Sequence, residues 1–311
     1  MIGLHSSTIQ GTSDGPHLLI TAGIHGDEFE GIFAIYRLIR QIDTADLSGT
    51  LTLIPIVNQS AVDQHSRCGE DGKDLARTFP GDLNGSPTEQ IAAILNDIIS
   101  KADLYIDLHT GGSCMDVYPL SGYGLVKNTA TLETQRRMAR AMNLPLIWGS
   151  TAELDGRSMS AARDADVPAI YAEYRGRGIC DPTGVEAYVN GCLSVMAEFN
   201  MLEKTAQTPQ SQTPVIVEDP RPNSGHMQIC NPSPIKGLFE PSRKLGESLE
   251  PGDILGVVID PLSGENREIL SDQSGAIIVI RSYPQVDEGD ALAVILEDLE
   301  NSSSHYQLPP C

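Results

Sequence analysis

The chain has 311 residues, of which 40% are hydrophobic, and a formal charge of −21 from 21 basic and 42 acidic side chains. Nucleic acid and anionic membranes are excluded as expected partners, because proteins bind both through clustered Lys and Arg side chains. The length predicts about two domains with a substantial core, and no apolar run approaches the ~18 residues of a membrane span.

The N-terminus and the cysteines predict the cellular compartment. The first residues form neither a basic segment nor a long apolar segment, so no signal peptide is expected. The six cysteines are scattered without paired spacing, which is typical of reduced thiols. We therefore expect a cytoplasmic protein.

A candidate metal site lies near the N-terminus, in the turn between a predicted strand and a predicted helix. Residues 18–22 form a short apolar run, and apolar side chains recur at helical spacing from Glu28 to Ile39. His25 and Glu28 are therefore expected in the turn at the carboxyl edge of a sheet, where open α/β sheets bind their ligands. Imidazole nitrogen and carboxylate oxygen both suit zinc.

Another predicted strand, residues 104–108, ends in the same way, at His109 followed by Thr and two glycines. If the two strands are neighbours, His25, Glu28 and His109 would close on one ion and leave one position open, which is the pattern of catalytic zinc. The alternative is a pair of turn histidines beside a Glu28 that caps the helix, where the helix dipole favours a carboxylate.

Strands and helices alternate over residues 1–204, which predicts an α/β domain. Further strands are predicted at 4–9, 50–57, 117–120, 144–148 and 167–178, and further helices at 86–101, 132–142, 158–163 and 181–201. The long polar loop 68–85 is expected to be functional, because a loop of this length that retains apolar residues is not typical of disorder.

The C-terminal third changes character. Residues 205–225 are proline-rich and predict a linker or an extended crossing strand. Residues 226–298 repeat the order strand, turn, Gly-Asp, strand, which predicts a small all-β sandwich that resembles the lipoyl- and biotinyl-type barrel-sandwich fold. The connection 260–275 contains no lysine, so the resemblance is to the fold and not to the carrier function. Residues 299–311 are expected to form a loose tail.

Three further side chains are candidates for chemistry. Glu173, near the end of a predicted strand, is the candidate general base, because a catalytic zinc site needs a carboxylate that takes a proton from water. The alternative is an ion pair of Glu173 with Arg175 or Arg177. Arg67 and Arg77 are candidates for anion recognition, since a guanidinium binds a carboxylate in bidentate fashion.

Five motifs together resemble the succinylglutamate desuccinylase/aspartoacylase family of the zinc carboxypeptidase superfamily. They are Gly23–Glu28, Asn58–Arg67, Asp74–Gly81, Asp107–Gly111 and Pro168–Glu173, in the order in which the family has them. The resemblance covers about the first two hundred residues. It implies a mixed-sheet, carboxypeptidase-like α/β/α domain, with which an appended β domain also fits.

The resemblance implies a role for each matched residue. By this resemblance, His25, Glu28 and His109 are the ligands of one zinc ion per chain, and Glu173 is the general base and acid. Arg67 stabilises the oxyanion, and Asn58 and Arg77 bind the substrate. Two positions depart from the family pattern, Gln59 in place of the usual Pro and Ala76 in place of the usual Asn. Because Ala76 lacks the amide that helps to hold a carboxylate, the departure concerns the substrate and not the metal chemistry.

Together these features predict a zinc-dependent amidohydrolase that removes the acyl group from an N-acyl amino acid or a similar small amine. The alternatives are a zinc carboxypeptidase that acts on small peptides and a non-catalytic binding protein that keeps the fold. We expect a small-molecule N-acyl substrate, no nucleic-acid or membrane partner, and a chain able to form a homo-oligomer.

Overall fold

A mixed sheet of eleven strands dominates the computed structural model, which describes residues 3–203, 213–225, 231–297 and 308–309. The strands within the described ranges are β1 (Ser7–Gln10), β2 (Ser13–Ala22), β3 (Ser48–Ile54), β4 (Leu104–His109), β5 (Met115–Leu125), β6 (Leu146–Thr151), β7 (Ala169–Gly176), β8 (Val215–Glu218), β9 (Gly237–Pro241), β10 (Ser248–Leu249), β11 (Ile254–Asp260), β12 (Glu265–Leu270), β13 (Gly275–Arg281), β14 (Gln285–Val286) and β15 (Ala293–Glu297). The helices there are α1 (Glu30–Gln41), α2 (Gln59–Asp63), α3 (Pro87–Ile99), α4 (Thr129–Ala141), α5 (Ser158–Asp164) and α6 (Pro182–Glu198), with a 3₁₀ turn at Leu75–Arg77.

The centre of the sheet has the order β1-β3-β2-β4-β7-β5. Strands β2, β4 and β7 are parallel, so their carboxyl ends meet at one edge. Ala22 pairs with Leu108, and His109 pairs with Glu173. The strands before His25 and His109 are therefore neighbours, which is the condition that the sequence analysis set for a shared site.

Helices cover both faces of this sheet. Alternate residues of β2 point to opposite faces, since successive side chains of a strand do so. Leu18 and Ile20 lie in one buried cluster with side chains of α1, α4 and α6, whereas Leu19 lies in a second cluster with side chains of α3 and α5. The predicted α/β architecture is confirmed, with three layers in the order helix, sheet, helix.

The predicted helix at 86–101 is α3, and its first turn follows the sequence signal. The Glu89 carboxylate accepts a hydrogen bond from Ser86 N at 2.8 Å, as expected of a capping box. Helix α1 begins at Glu30 rather than at the predicted Glu28. The reason is that Glu28 accepts from Thr110 N across the sheet edge, which holds this residue in the turn.

The C-terminal strands lie in two sheets. Strands β12, β11, β9 and β14 form a separate four-stranded sheet, whereas β13 pairs antiparallel with β5 and so continues the large sheet. Side chains of the two sheets share one buried cluster, which includes Phe239, Val258, Ile277 and Ile280. The division into two domains and the barrel-sandwich assignment remain predictions.

The segment predicted as a linker or crossing strand, residues 205–225, contains β8, which pairs parallel with β6. Residues 205–212 lie outside the described residues, as does the predicted tail except for Leu308 and Pro309. In the described ranges every helix is too short or too polar to cross a membrane.

Candidate metal centre and active site

Three side chains that could hold a metal ion converge at the carboxyl edge of the sheet. His25 and Glu28 lie in the turn between β2 and α1, and His109 ends β4. One ligand atom from each lies within 4.8 Å of the others. His25 Nδ1 is 2.6 Å from Glu28 Oε1, and His109 Nδ1 is 3.0 Å from Glu28 Oε2.

A further carboxylate holds the outer nitrogen of each imidazole. His25 Nε2 is 3.0 Å from Asp74 Oδ1, and His109 Nε2 is 3.1 Å from Asp107 Oδ2. Asp107 also accepts hydrogen bonds from Thr21 and Ser158. Such carboxylate–histidine pairs fix the ring orientation and raise the basicity of the inner nitrogen in metal sites.

The donor set fits zinc. Two imidazole nitrogens and one carboxylate are common zinc ligands, and three protein ligands leave the fourth position open. Burial raises the pKa of Glu28, but the neighbouring His25 and His109 outweigh that effect and hold the pKa below its usual value. Glu28 is therefore a carboxylate, the form that binds a cation.

Glu173 lies beside His109 and is 8% exposed. Within the described part of the chain, its buried Oε2 has no hydrogen-bond partner. Burial raises the pKa of Glu173, and the charge of His109 opposes the rise. The two cations of the alternative ion pair lie close to another carboxylate, with Arg175 Nε 3.0 Å and Arg177 Nε 3.8 Å from oxygens of Asp116.

Asp74 joins Arg67 to the metal site. Arg67 Nε donates to Asp74 Oδ2 at 3.0 Å, while Asp74 Oδ1 contacts His25. Arg67 Nη1 lies 3.4 Å from His25 Nδ1 and 3.9 Å from Glu28 Oε1. A guanidinium here can donate to an oxygen of a ligand at the open metal position. Sequence reasoning missed Asp74, although it opens the Asp-Leu-Ala-Arg motif and caps the 3₁₀ turn.

A cavity of about 510 Å³ opens from the metal site. Four guanidinium side chains line it, those of Arg67, Arg77, Arg157 and Arg163. Burial and the nearby Arg157 lower the pKa of Arg77 to about 10. An anionic ligand in the cavity would relieve the mutual repulsion of these like charges. The sequence analysis did not identify Arg157 as a cavity residue. The feature that could have indicated it is a basic residue in the glycine-containing loop immediately before α5.

The C-terminal strands contribute to the cavity wall. Val279 of β13 lines the cavity together with Met115 and Val117 of β5, to which β13 is paired. Gly225, at the end of the described segment 213–225, lines it near Ser150. Ala76 also lines the cavity, beside Arg77.

Asn58 is the one predicted site residue that the structure does not bring to the cavity. Its side chain is fully buried, and its oxygen accepts from Ala61 N at 3.3 Å and from Ser60 Oγ at 3.1 Å. The oxygen therefore caps α2. This geometry supports a structural role for Asn58 rather than the substrate contact expected from the sequence.

The chain is similar to proteins that have been characterised or solved. It is 29% identical over 303 residues to the N-alpha-acetyl-L-2,4-diaminobutyric acid deacetylase of Halomonas elongata. That alignment covers 94% of this chain and 86% of the Halomonas elongata protein. A succinylglutamate desuccinylase/aspartoacylase from Rhodobacter sphaeroides has a TM-score of 0.83 at 26% identity, covering 96% of this chain and 90% of that chain. The product-bound ectoine utilization protein EutE (DoeB) from Ruegeria pomeroyi has a TM-score of 0.84 at 26% identity, covering 93% and 87%.

The model of the succinylglutamate desuccinylase/aspartoacylase catalytic domain matches residues 14–199, more than half of the chain. The matched region contains His25, Glu28, His109 and Glu173, together with the carboxyl ends of the strands that position them. The chain therefore belongs to the succinylglutamate desuccinylase/aspartoacylase family.

Proposed function

We propose that this protein is a zinc-dependent deacylase that hydrolyses the amide of an N-acyl amino acid or a related small amine. The observation that carries the proposal is the convergence of His25, Glu28 and His109 beside a Glu173 oxygen that is buried and, among the described residues, unpartnered. A buried acceptor without a partner costs free energy unless a ligand or water pairs with it. The Glu173 carboxylate can therefore accept a hydrogen bond from a molecule in the cavity.

The residues around the cavity divide the reaction among them. His25, Glu28 and His109 would hold a zinc ion, which would supply Lewis acidity toward the acyl carbonyl and toward water. Glu173 takes the proton of the attacking water and later donates it to the leaving amine. Arg67, held by Asp74, donates hydrogen bonds to the carbonyl oxygen as negative charge develops there.

The other cationic residues bind the amino acid part of the substrate. Arg77 and Arg157 present two guanidinium groups to the cavity, and a guanidinium pairs with a carboxylate through two parallel hydrogen bonds. Ala76 offers no amide at the position before Arg77. We therefore expect the carboxylate to be held mainly by arginines in this chain.

The relatives support this class of substrate. The Halomonas elongata protein is named for deacetylation of an N-acetylated diamino acid, and the Ruegeria pomeroyi protein for ectoine utilization. N-acetylated diamino acids are therefore the first substrates to test. Short peptides belong in the same panel, since a zinc carboxypeptidase would use the same ligands and base.

The test combines metal analysis with a substrate panel. We expect about one zinc per chain and release of the free amine from N-acetyl amino acids, among them Nα-acetyl-L-2,4-diaminobutyric acid, N-acetylaspartate and N-succinylglutamate. Cleavage of peptides alone would favour a carboxypeptidase. Zinc binding without turnover of any amide would favour a binding protein and would contradict the proposal.

A further inference from the structure

Tyr171 lines the cavity and has no part in the chemistry described above. It is two residues before Glu173 on β7, so both side chains point to the same face of the sheet. Asp107 of β4 pairs with Tyr171, and Tyr171 pairs with Gly122 of β5. Thr21, Asp107, Tyr171 and Gly122 thus form one row across four strands, next to the row that holds His109 and Glu173.

The absence of a side chain at Gly122 lets the Tyr171 ring lie across β5. A Cβ atom at position 122 would be 2.2 Å from Cζ and 2.4 Å from the hydroxyl oxygen of Tyr171. Contacts this short do not occur, so a side chain at position 122 would force the Tyr171 ring to move. The glycine therefore permits the phenol hydroxyl to lie where it does.

The hydroxyl of Tyr171 makes no hydrogen bond to any residue in the ranges that the structure describes, although the residue lines the cavity. Phenol groups inside proteins usually have a polar partner. Burial raises the pKa of Tyr171, and the charge of Glu173 raises it further, so the group stays protonated and can donate. Arg157 is the cation within electrostatic range of the same ring.

We propose that Tyr171 is a substrate-binding residue whose hydroxyl donates a hydrogen bond to the substrate carboxylate, next to Arg157, from a position that Gly122 permits. The inference rests on the proposed deacylase function and extends it to a residue outside the metal site. A neutral donor beside a guanidinium adds a further hydrogen bond to the carboxylate, because the two carboxylate oxygens together can accept more hydrogen bonds than one guanidinium donates.

The test compares Tyr171→Phe with the native protein on N-acetyl amino acids and on the corresponding amides. We expect kcat/KM to fall about 10- to 100-fold for the acids, mainly through KM, and much less for the amides. Tyr36→Phe is the control, because Tyr36 is exposed on α1 and does not line the cavity. It should leave both series unchanged.

Gly122→Ala gives an independent variant that keeps the hydroxyl but displaces it. It should cause the same selective loss on the acids, while zinc content and the far-ultraviolet circular dichroism spectrum stay native. Equal losses on acids and amides, or native kinetics in Tyr171→Phe, would overturn the inference while leaving the deacylase function intact. If the native protein hydrolyses none of these compounds, the proposed function fails; calorimetric titration with the same acids and amides then still tests whether Tyr171 and Gly122 select the carboxylate.

Discussion

His25 and His109 present the same ring nitrogen, Nδ1, to Glu28, and two different carboxylates impose that orientation. Asp107 is on the same strand as His109, two residues earlier, so β alternation alone places it beneath the ring. Asp74 comes from the long loop and reaches His25 across the site. The first contact follows from the sequence pattern, whereas the second depends on how the loop folds.

Glu173 gives the sharpest test of a single residue. Glu173→Gln keeps the shape of the side chain but removes its ability to accept a proton, so we expect kcat to fall by roughly 10²–10⁴ with zinc content unchanged. The exposed Glu153→Gln serves as the control and should behave as the native protein. Near-native turnover in Glu173→Gln with zinc bound would return this residue to a structural role.

Arg77 and Arg67 are expected to act at different stages, Arg77 in substrate binding and Arg67 in catalysis. Arg77→Ala should mainly raise KM, because Arg77 lines the part of the cavity shared with Arg157, whereas Arg67→Ala should lower kcat by about 10²–10³, the usual cost of losing one oxyanion donor. Steady-state kinetics on one N-acetyl amino acid distinguish the two effects.

A substitution at position 76 tests the departure from the family pattern. Ala76→Asn adds an amide next to Arg77, and a hydrogen bond to a charged group contributes on the order of 1.5–3 kcal/mol. We expect kcat/KM to rise for N-acyl amino acids and to stay constant for their amides. An equal change on both series would show that this loop does not contact the carboxylate.

At the scale of the elements, strand ends explain why the convergence of the candidate metal ligands is predictable. A buried apolar run followed by a glycine-containing turn marks the end of β2 and of β4, and parallel neighbours bring such ends together. The roles of Arg157 and Tyr171 are not visible in this way. Arg157 depends on the approach of the loop before α5, and Tyr171 depends on an antiparallel partner, β5, that sequence periodicity does not identify.

The loop that follows α2 contains Asp74, whose contacts with Arg67 and His25 can be tested. Asp74 links Arg67 and His25, so Asp74→Asn should weaken zinc binding about 10- to 100-fold, the usual effect of losing an outer carboxylate, and should also lower kcat. Zinc competition with a chromophoric chelator measures the first effect. Asp82→Asn, in the same loop but exposed, is the control; equal zinc affinity in Asp74→Asn and Asp82→Asn would contradict the linking role.

At the scale of the whole molecule, the large sheet joins residues from both ends of the chain. Strand β13 pairs with β5, and Val279 therefore lines the same cavity as His109. The internal repeat in the sequence predicts the strands after residue 236 but not this pairing, since an antiparallel edge can accept any strand of suitable length and polarity. Residues beyond position 204 therefore line the cavity together with those of 1–204.

Removal of the proposed zinc ion should affect both the activity and the stability of the fold. A ligand that binds only the folded chain stabilises it by about 4 kcal/mol at a thousand-fold excess over Kd. We expect a chelator to abolish turnover and to lower Tm, and added zinc to restore both. His109→Ala should lose activity and show the same Tm with and without zinc, because one of three ligands is gone, whereas His5→Ala, an exposed histidine, should respond like the native protein. Activity and Tm that are indifferent to the chelator, in a protein shown to be metal-free, would mean that His25, Glu28 and His109 serve the fold without holding a metal.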